Sequence, residues 1–395
     1  MTLANAHALF CGLKSTPSYL ANLTIDDEER KGLLDARRAI RATLKSAAKH
    51  LVIEDKYWQE GSRFKDSWRQ RPDTIELKFM TQGSFAYGTL NAPAQAPWQE
   101  IDLDDGMYVP VDFLESGEPA LAAKALFEFV ETALKPLCDE NDWGVTQKAN
   151  CVRVKLWHGA HIDIPIYSIP RIKFGQLVEA ATKMDFADGL FSQKRISQMN
   201  RLPSDQVMLA RRDGTWVQSD PQQLHEWVQA RKDRFGAVYL RLCRFYKGWR
   251  DFIWIDSPLS SLCIMRTVEM ALNEFDGFPS DERDDELILK VAELVPGYFD
   301  GKISNPVLTN LHLNEWKKKE RAVIVKAAND LKDEMTSALH RTGDAERVVQ
   351  KLRDRFGDRI PYRPDAVKIG SRIEAVQQSS PDKVAAPSVI ASTSG

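Results

Sequence analysis

The sequence predicts an α+β protein, in which a mixed sheet with its helices is followed by a helical C-terminal domain. Three short segments, 101–104, 152–156 and 162–166, alternate apolar and polar residues with the period of a strand that has one buried face. From Asp220 onward the apolar residues recur at helical spacing instead. This change of period divides the chain into a sheet-containing part and a helical part.

The predicted elements follow one another along the chain. A long amphipathic helix covers 24–51, and a second helix covers 119–138. The second and third strands are joined by a turn that contains Gly159, which predicts a hairpin. Ser219-Asp220-Pro221 combines a capping side chain with proline at the first helical position, so a long helix around 222–254 is expected to begin there.

These elements predict four regions. The first is helical and packs on the core, and the last is polar, rich in Ser, Ala and Pro, and expected to be flexible. In chain order, the expected regions are an N-terminal helical region (1–60), a core (61–218), a helical C-terminal domain (219–364) and a tail (365–395).

Composition limits the classes of function that the chain can have. Its 54 Lys and Arg residues nearly balance 56 Asp and Glu residues, which leaves a net charge of −2. Proteins that stay bound to nucleic acid usually carry a basic excess, so no stable nucleic-acid partner is expected. The five cysteines are odd in number and widely spaced, which is typical of reduced thiols in the cytosol. Without a signal peptide or a membrane-length apolar stretch, we expect a cytoplasmic monomer that binds no membrane.

Gly83 and Ser84 form the first candidate site, in the run from Thr81 to Thr89. A Gly-Ser pair that enters a helix can offer backbone N–H groups and a hydroxyl to phosphate oxygens. An isolated pair of this kind is more often a simple turn or a helix cap. The pair therefore becomes informative only together with further site residues.

Three aspartates form the second candidate site. Asp102 and Asp104 are two residues apart on a predicted strand, so their carboxylates share a face and can bind a hard cation such as Mg²⁺. The alternative is a solvated acidic strand end, which the neighbouring Asp105 favours. Asp163 interrupts an apolar strand, where a lone Asp can also discourage edge-to-edge aggregation. If the two strands are neighbours, the three carboxylates form the cluster that two-metal phosphoryl transfer requires.

The order of these elements is that of a known superfamily. A Gly-Ser pair, a helix-length gap, an Asp-x-Asp pair and a third Asp on a later strand form the pattern of polymerase-beta-like nucleotidyltransferases. With Leu90-Asn91, Tyr108, Ser219-Asp220-Pro221 and Cys243-Arg244-Phe245, the chain resembles the cGAS/DncV-like nucleotidyltransferases over most of its length. The resemblance implies a polymerase-beta-like nucleotidyltransferase sheet with a helical C-terminal domain. It also implies synthesis of a cyclic di- or trinucleotide second messenger in bacterial anti-phage defence (CBASS).

The same resemblance implies substrates, cofactor and binding residues. A 3′-hydroxyl would attack the donor α-phosphate and release pyrophosphate, with ATP and a second nucleoside triphosphate, expected to be GTP, as substrates. Two Mg²⁺ ions, or Mn²⁺ in their place, would bind to the catalytic residues Asp102, Asp104 and Asp163. The residues expected to contact the nucleotides are Gln82, Gly83, Ser84, Arg153, Asp220, Lys247, Ser260 and Ser261.

Simpler interpretations exist for several of these residues and for the protein. Lys247 is also consistent with a solvated helix face, the two serines with a helix cap near Ser257, and Asp220 with a cap alone. A template-independent nucleotidyltransferase acting on RNA is the nearest alternative function, although a near-neutral charge is unfavourable for an RNA groove. A catalytically inactive binding module is the other alternative, and the presence of all three carboxylates argues against it.

The tail leads to a separate prediction. It contains a short apolar pair, Val389-Ile390, and ends in Gly395, whose unhindered carboxylate suits adenylation and transfer. In anti-phage operons, synthases of the family that the chain resembles can be joined through their C-terminal residue to other molecules by a ubiquitin-transfer-like enzyme with fused E1 and E2 parts. The resemblance therefore implies conjugation at Gly395, with that enzyme as a partner.

Overall fold

The computed structural model describes most of the sheet-containing part and most of the helical part. Two candidate residues, Asp220 and Gly395, lie outside the described residues, as does most of the expected tail, 371–395. All other candidates are described. The described residues are 3–12, 16–50, 75–111, 119–157, 159–170, 207–219, 221–275 and 283–370.

Seven of the described strands form one mixed sheet, and two more pair with each other apart from it. The strands are β1 (Ala4–Asn5), β2 (Lys78–Gln82), β3 (Ile101–Val111), β4 (Gly144–Gln147), β5 (Cys151–Trp157), β6 (Ala160–Pro170), β7 (Met208–Ala210), β8 (Trp216–Gln218) and β9 (Lys368–Ile369). The large sheet has the order β2-β3-β6-β5-β4, and β7 joins β6 and then pairs with β8. Within the large sheet the β3–β6 pair is parallel, and the other pairs are antiparallel.

The two central strands are longer than the alternating segments that predict them. Strand β3 alternates buried and half-buried residues from Ile101 to Asp104, and from Asp105 onward every residue is buried. Strand β6 is buried along almost its whole length. A strand that is covered on both faces loses its polar alternation, which is why the period-2 pattern marks only part of each strand. The predicted hairpin around Gly159 is present as the antiparallel β5–β6 pair.

Eleven α-helices accompany the strands within the described ranges. They are α1 (His7–Phe10), α2 (Tyr19–Asn22), α3 (Asp27–Lys49), α4 (Gly83–Tyr87), α5 (Ala123–Asn141), α6 (Pro221–Phe235), α7 (Ala237–Ile253), α8 (Ser261–Asn273), α9 (Asp284–Asp300), α10 (Lys318–Thr336) and α11 (Ala345–Phe356). Among these helices, none combines the length and the apolar character that crossing a bilayer requires.

The single long helix predicted around 222–254 is wrong, because Gly236 divides it into α6 and α7. Gly236 has φ +70° and ψ −163°, a conformation outside the helical region that glycine adopts without steric cost. The break lets α7 take its own direction beside α8, α9 and α11. Helix α7 is therefore a separate element, and its residues form one wall of the cleft described below.

Two apolar cores hold these elements together. In the first, α3 and α5 cover one face of the sheet, with Leu33 and Val130 among the fully buried side chains. The second lies between α7 and the helices that follow it, and it also takes in Phe10 and Tyr19 from the first two short helices. The opposite face of the sheet turns toward α7. The α+β class predicted from the sequence, with a mixed sheet and a helical C-terminal region, is confirmed.

Candidate active site

Four polar side chains form a two-by-two array on one face of the β3–β6 pair. The parallel register places Asp102 beside His161 and Asp104 beside Asp163. Residues two apart on a strand project to the same face, so all four side chains point the same way. The structure thus brings together the three aspartates that the sequence predicts to be neighbours, and it adds His161, for which no role was predicted.

Asp105 projects from the other face of β3 and is not part of the array. Its carboxylate accepts two hydrogen bonds from Arg41 of α3, at 2.7 Å from Nε and 2.6 Å from Nη2. The Asp105 side chain is almost completely buried. The alternative of a solvated acidic strand end, which Asp105 favoured, is therefore wrong. The Asp105 carboxylate is buried and binds α3 to the face of the sheet opposite the array.

Arg153 holds Asp163 in a bidentate ion pair. It lies opposite Asp163 in the β5–β6 register, and its Nε and Nη2 donate to the two carboxylate oxygens, both at 2.7 Å. The pair balances the charge of Asp163 and fixes its rotamer. Each oxygen keeps a further lone pair, so Asp163 can still act as a ligand.

Asp104 is the most perturbed carboxyl group of the array. Burial raises its pKa well above the usual range, and the neighbouring charges of Asp102 and Asp163 raise it further. Arg153 and Lys247 act in the opposite direction. A divalent cation among these carboxylates would offset the repulsion, so the donor set and its electrostatics fit a hard metal ion.

Gly83 lies against the array and has room for no side chain. It follows Gln82, which pairs with Asp104 across the β2–β3 ladder. Gly83 has φ +67°, and a Cβ atom built there would lie 1.9 Å from Oδ2 of Asp104. Only glycine satisfies both conditions, so the residue after β2 is constrained by the carboxylate beside it.

Two cavities meet at the array. The larger is an open cleft of about 620 Å³ between the sheet and helices α7 and α8. The smaller, of about 280 Å³, lies beside it. The residues that line both cavities are Gly83, Tyr87, Asp104, Leu224 and Leu262. Asp104 therefore stands where two separate ligands can approach one carboxylate of the array.

Lys247 of α7 lines the larger cleft. Its side chain is only 5% exposed, and its Nζ donates to the carbonyl oxygen of Thr89 at 2.6 Å. Burial, assisted by the nearby positive charge of Arg250, lowers the pKa of this ammonium to about 8. The solvated helix face considered for Lys247 is thus excluded, while its contact with a triphosphate remains a prediction.

The two predicted serines have different positions. Ser260 is the N-cap of α8, and its Oγ accepts a hydrogen bond from the backbone N–H of Cys263 at 3.1 Å. Ser261 lines the cleft, and its Oγ accepts from Arg250 at 3.1 Å. The helix cap that the sequence predicts near Ser257 is therefore formed about one turn later, by Ser260. Of the two, only Ser261 faces a ligand-sized space.

Gln82 and Tyr167 shape the smaller cavity. Nε2 of Gln82 donates to Oη of Tyr167 at 2.9 Å, and both side chains are buried. The Tyr167 ring stacks on Tyr108, with centroids 4.9 Å apart. Tyr167 is therefore a wall of the cavity, whereas Trp157 lies away from it against Gly32 of α3.

The segment 92–99 forms the rim of the larger cleft and is bound to the end of α7. Nε2 of Gln95 donates to the carbonyls of Asp251 and Phe252, both at 2.9 Å. Nε2 of Gln99 donates to the carbonyl of Asp251 at 2.8 Å. These bonds satisfy carbonyl groups that the last turn of a helix leaves free. They hold Trp98, which is 71% exposed, at the mouth of the cleft.

Sequence reasoning missed His161 and Glu100 as members of the site. His161 is buried, and its Nδ1 lies 2.8 Å from Oε2 of Glu100. Their positions follow from the register between β3 and β6. The one signal in the sequence is spacing, because His161 stands two residues before Asp163 and Glu100 two residues before Asp102.

Two family models match the chain. One is described as the nucleotidyltransferase domain of DncV-like cyclic GMP-AMP synthase and matches residues 77–167. The other is described as the C-terminal domain of cyclic GMP-AMP synthase and matches residues 236–368. The first match contains the array, and the second contains helices α7 to α11.

Individual relatives agree with these matches. A cyclic GMP-AMP synthase of Escherichia coli (strain TW11681) is 34% identical over 306 residues, which cover 73% of this chain and 70% of the relative. A cyclic GMP-AMP synthase of Vibrio cholerae is 27% identical and covers 95% of each chain. The solved structure of the Vibrio cholerae di-nucleotide cyclase (DncV) in complex with GTP is similar with a TM-score of 0.78 at 25% identity, over 94% of this chain and 100% of that one. The chain therefore belongs to the family of DncV-like cyclic GMP-AMP synthases, which are nucleotidyltransferases.

Proposed function

We propose that this protein joins ATP and a second nucleoside triphosphate, GTP, into a cyclic dinucleotide. The observation that carries the proposal is the meeting of two cavities at Asp104, which belongs to a cluster of three carboxylates. A cyclase must hold two nucleotides with their reacting ends at the same metal-binding groups. Family membership supports the same conclusion, because the relatives are named cyclic GMP-AMP synthases.

The chemistry requires two phosphodiester bonds. In each step the 3′-hydroxyl oxygen of one nucleotide forms a bond to the α-phosphorus of the other. The bond from that phosphorus to the pyrophosphate oxygen breaks, and the hydroxyl proton leaves. The first step yields a linear dinucleotide that still carries a triphosphate, and the second step closes the ring. A linear intermediate of this kind, pppA(3′,5′)pG, is bound in one solved structure of the Vibrio cholerae synthase.

Asp102, Asp104 and Asp163 would hold two Mg²⁺ ions, or Mn²⁺ in their place. When bound, such ions make a 3′-hydroxyl easier to deprotonate and stabilise the negative charge of departing pyrophosphate. The protein's own contribution is positional. Arg153 fixes the orientation of Asp163, and the absence of a side chain at Gly83 leaves room for the carboxylate of Asp104.

Lys247, Ser84 and Ser261 would contact the triphosphates from the larger cleft, which all three line. The ammonium of Lys247 is buried, and its pKa is lowered to about 8. A triphosphate in the cleft would supply the negative charge that restores the charged form. We also propose that Gln82, which lines the smaller cavity, contacts a nucleotide bound there.

Mass spectrometry of the products formed from all four ribonucleoside triphosphates with Mg²⁺ tests the proposal. We expect a cyclic dinucleotide that contains adenine and guanine, formed equally well with and without added RNA. A double variant, Asp102→Asn with Asp104→Asn, should form none and should keep the circular dichroism spectrum of the wild type. Extension of RNA without any cyclic product would falsify the proposal and favour a template-independent nucleotidyltransferase that acts on RNA.

We also propose that the product acts as a second messenger in anti-phage defence, and support comes from the family resemblance. Conjugation through Gly395 by an E1/E2 fusion enzyme stays a prediction, as do the cytoplasmic location and the monomeric state. Replacing Gly395 with Glu should remove conjugates from cells that carry the fusion enzyme and leave synthesis by the purified protein unchanged. Conjugates that persist on this variant would contradict the prediction.

A further inference from the structure

The array contains a nitrogen atom that the aspartate assignment does not use. His161 is 4% exposed and lies on β6 beside Asp102. One donor atom each from Asp102, His161 and Asp163 can be chosen such that all three lie within 4.8 Å of one another. This spacing is compatible with three ligands of a single ion.

The hydrogen bond on the far side of the ring determines what this nitrogen can do. Nδ1 of His161 lies 2.8 Å from Oε2 of Glu100. A carboxylate oxygen accepts and does not donate, so Nδ1 carries the proton of this bond. In the neutral imidazole, Nε2 then has a free lone pair, which is the form in which histidine binds metals. A carboxylate behind a metal-binding histidine is a recurring arrangement that orients the ring and increases its basicity.

The contact between Nε2 and Asp102 also favours a bound cation at this position. Nε2 lies 3.0 Å from Oδ1 of Asp102, yet the two atoms are not aligned as a hydrogen bond. Both atoms are buried, and neither has a hydrogen-bond partner among the residues that the structure describes. Buried polar atoms without partners require an explanation, and a bound ion is one such explanation. A cation bound to both atoms would satisfy them together.

We propose that Nε2 of His161 is a direct ligand of one divalent ion, together with Asp102 and Asp163, and that Glu100 is the residue that positions the ring. The proposal rests on the metal site of the proposed function and adds a nitrogen donor to it. Imidazole nitrogen suits transition-metal ions, whereas Mg²⁺ favours oxygen ligands. A nitrogen ligand should therefore raise the affinity of the site for a transition-metal ion such as Mn²⁺ relative to its affinity for Mg²⁺.

Pulsed EPR of Mn²⁺ bound to the full chain, without nucleotide, tests the coordination directly. We expect an echo modulation from a coordinated ¹⁴N nucleus. It should change to the ¹⁵N pattern when the wild-type protein is made with ¹⁵N-histidine, a measurement that needs no variant. The modulation should disappear in His161→Gln and persist in the matched control His312→Gln, because His312 pairs with Glu315 away from the array. Bound Mn²⁺ without nitrogen modulation in the wild type would overturn the proposal.

Metal affinity provides a second readout. In His161→Gln, the ratio of Mn²⁺ to Mg²⁺ affinity should fall by about tenfold or more, the size of effect that even the outer partners of a metal site have. Glu100→Gln keeps an oxygen that accepts from Nδ1 and should retain the modulation, whereas Glu100→Ala should weaken Mn²⁺ binding. An unchanged ratio in His161→Gln would contradict direct ligation. Because these measurements require no turnover, a protein that makes the cyclic product but shows no nitrogen ligand would refute only the coordination by His161.

Discussion

At the scale of single residues, the site depends on close contacts that leave little freedom for substitution. Gly83 and Asp104 illustrate this, since a methyl group on one would overlap the carboxylate of the other. Lys247 is a second case, because its ammonium is buried in the wall of the cleft. Both contacts lead to measurable predictions.

Replacing Gly83 with Ala should abolish synthesis and destabilise the protein. The left-handed backbone alone costs an alanine about 1–2 kcal/mol, and the overlap with Asp104 adds to this cost. Gly159→Ala is the matched control, because Gly159 also has a positive φ (+93°) but a Cβ there meets nothing within 4 Å. Urea unfolding and product yield should therefore separate the two variants. Equal losses of stability and full synthesis in both would show that the overlap is unimportant.

Lys247 should make the stability of the protein depend on pH above neutrality. Burial lowers the pKa of its ammonium from 10.5 to about 8 in the folded state. Between these values the unfolded chain binds more protons than the folded one, so stability rises with pH through this window. The rise is at most about 3 kcal/mol. Urea unfolding from pH 7.5 to 10 should show it in the wild type and not in Lys247→Met, and parallel profiles for the two proteins would exclude a lowered pKa.

At the scale of the elements, the two faces of β3 have different roles, one in the candidate active site and one in packing against α3. Asp104 faces the cleft among like charges, whereas Asp105 faces α3 and is paired with Arg41. Period-2 geometry gives adjacent aspartates opposite environments. Asp104 therefore contributes to the candidate active site, whereas Asp105 contributes to the stability of the fold.

Substituting the two aspartates should have opposite effects. Asp105→Asn leaves the buried charge of Arg41 without its partner and should cost about 3–5 kcal/mol of stability, while the properly folded fraction keeps its activity. Asp104→Asn removes a carboxyl group whose charged form is unfavourable. Without metal, this variant should therefore be as stable as the wild type or more stable, and it should synthesise no product. Thermal unfolding and product yield measured on both variants test this. A large loss of stability in Asp104→Asn would contradict the assigned roles.

The sequence predicts those parts of the site that local periodicity controls. The shared face of Asp102 and Asp104 follows from their spacing, and the order of motifs identifies Asp163 as their partner. The position of His161 depends on the register of a parallel pair between distant segments, which no local pattern encodes.

The break at Gly236 was missed because apolar spacing continues on both sides of it. Burial of Lys247 was missed because Arg241 and Arg244 on the same helix resemble an exposed basic face, while in fact they pair with Asp284 and Asn91.

At the scale of the whole molecule, the sheet and the helical part are joined along the cleft by many polar contacts. Besides the two glutamine side chains of segment 92–99, Arg359 donates to the carbonyls of Ala92 at 3.0 Å and Gly248 at 2.7 Å. Arg244 donates to Oδ1 of Asn91 at 3.0 Å. The rim of the cleft is thus fastened to α7, and the distance between the two walls is determined by direct bonds.

The parallel β3–β6 pair has a consequence for how the protein folds. Its strands are far apart in the chain, and their pairing brings three carboxylates together against their repulsion. This repulsion and the entropy of closing a long crossover both oppose the pairing until the surrounding contacts are in place, so we expect the array to be completed only after the transition state of folding. Divalent cations, which bind only the completed array, should then slow unfolding and leave the refolding rate unchanged. Stopped-flow kinetics in urea with and without Mg²⁺ would show this, with the Asp102→Asn and Asp104→Asn double variant as the insensitive control, and a cation-accelerated refolding rate would mean that the array forms early.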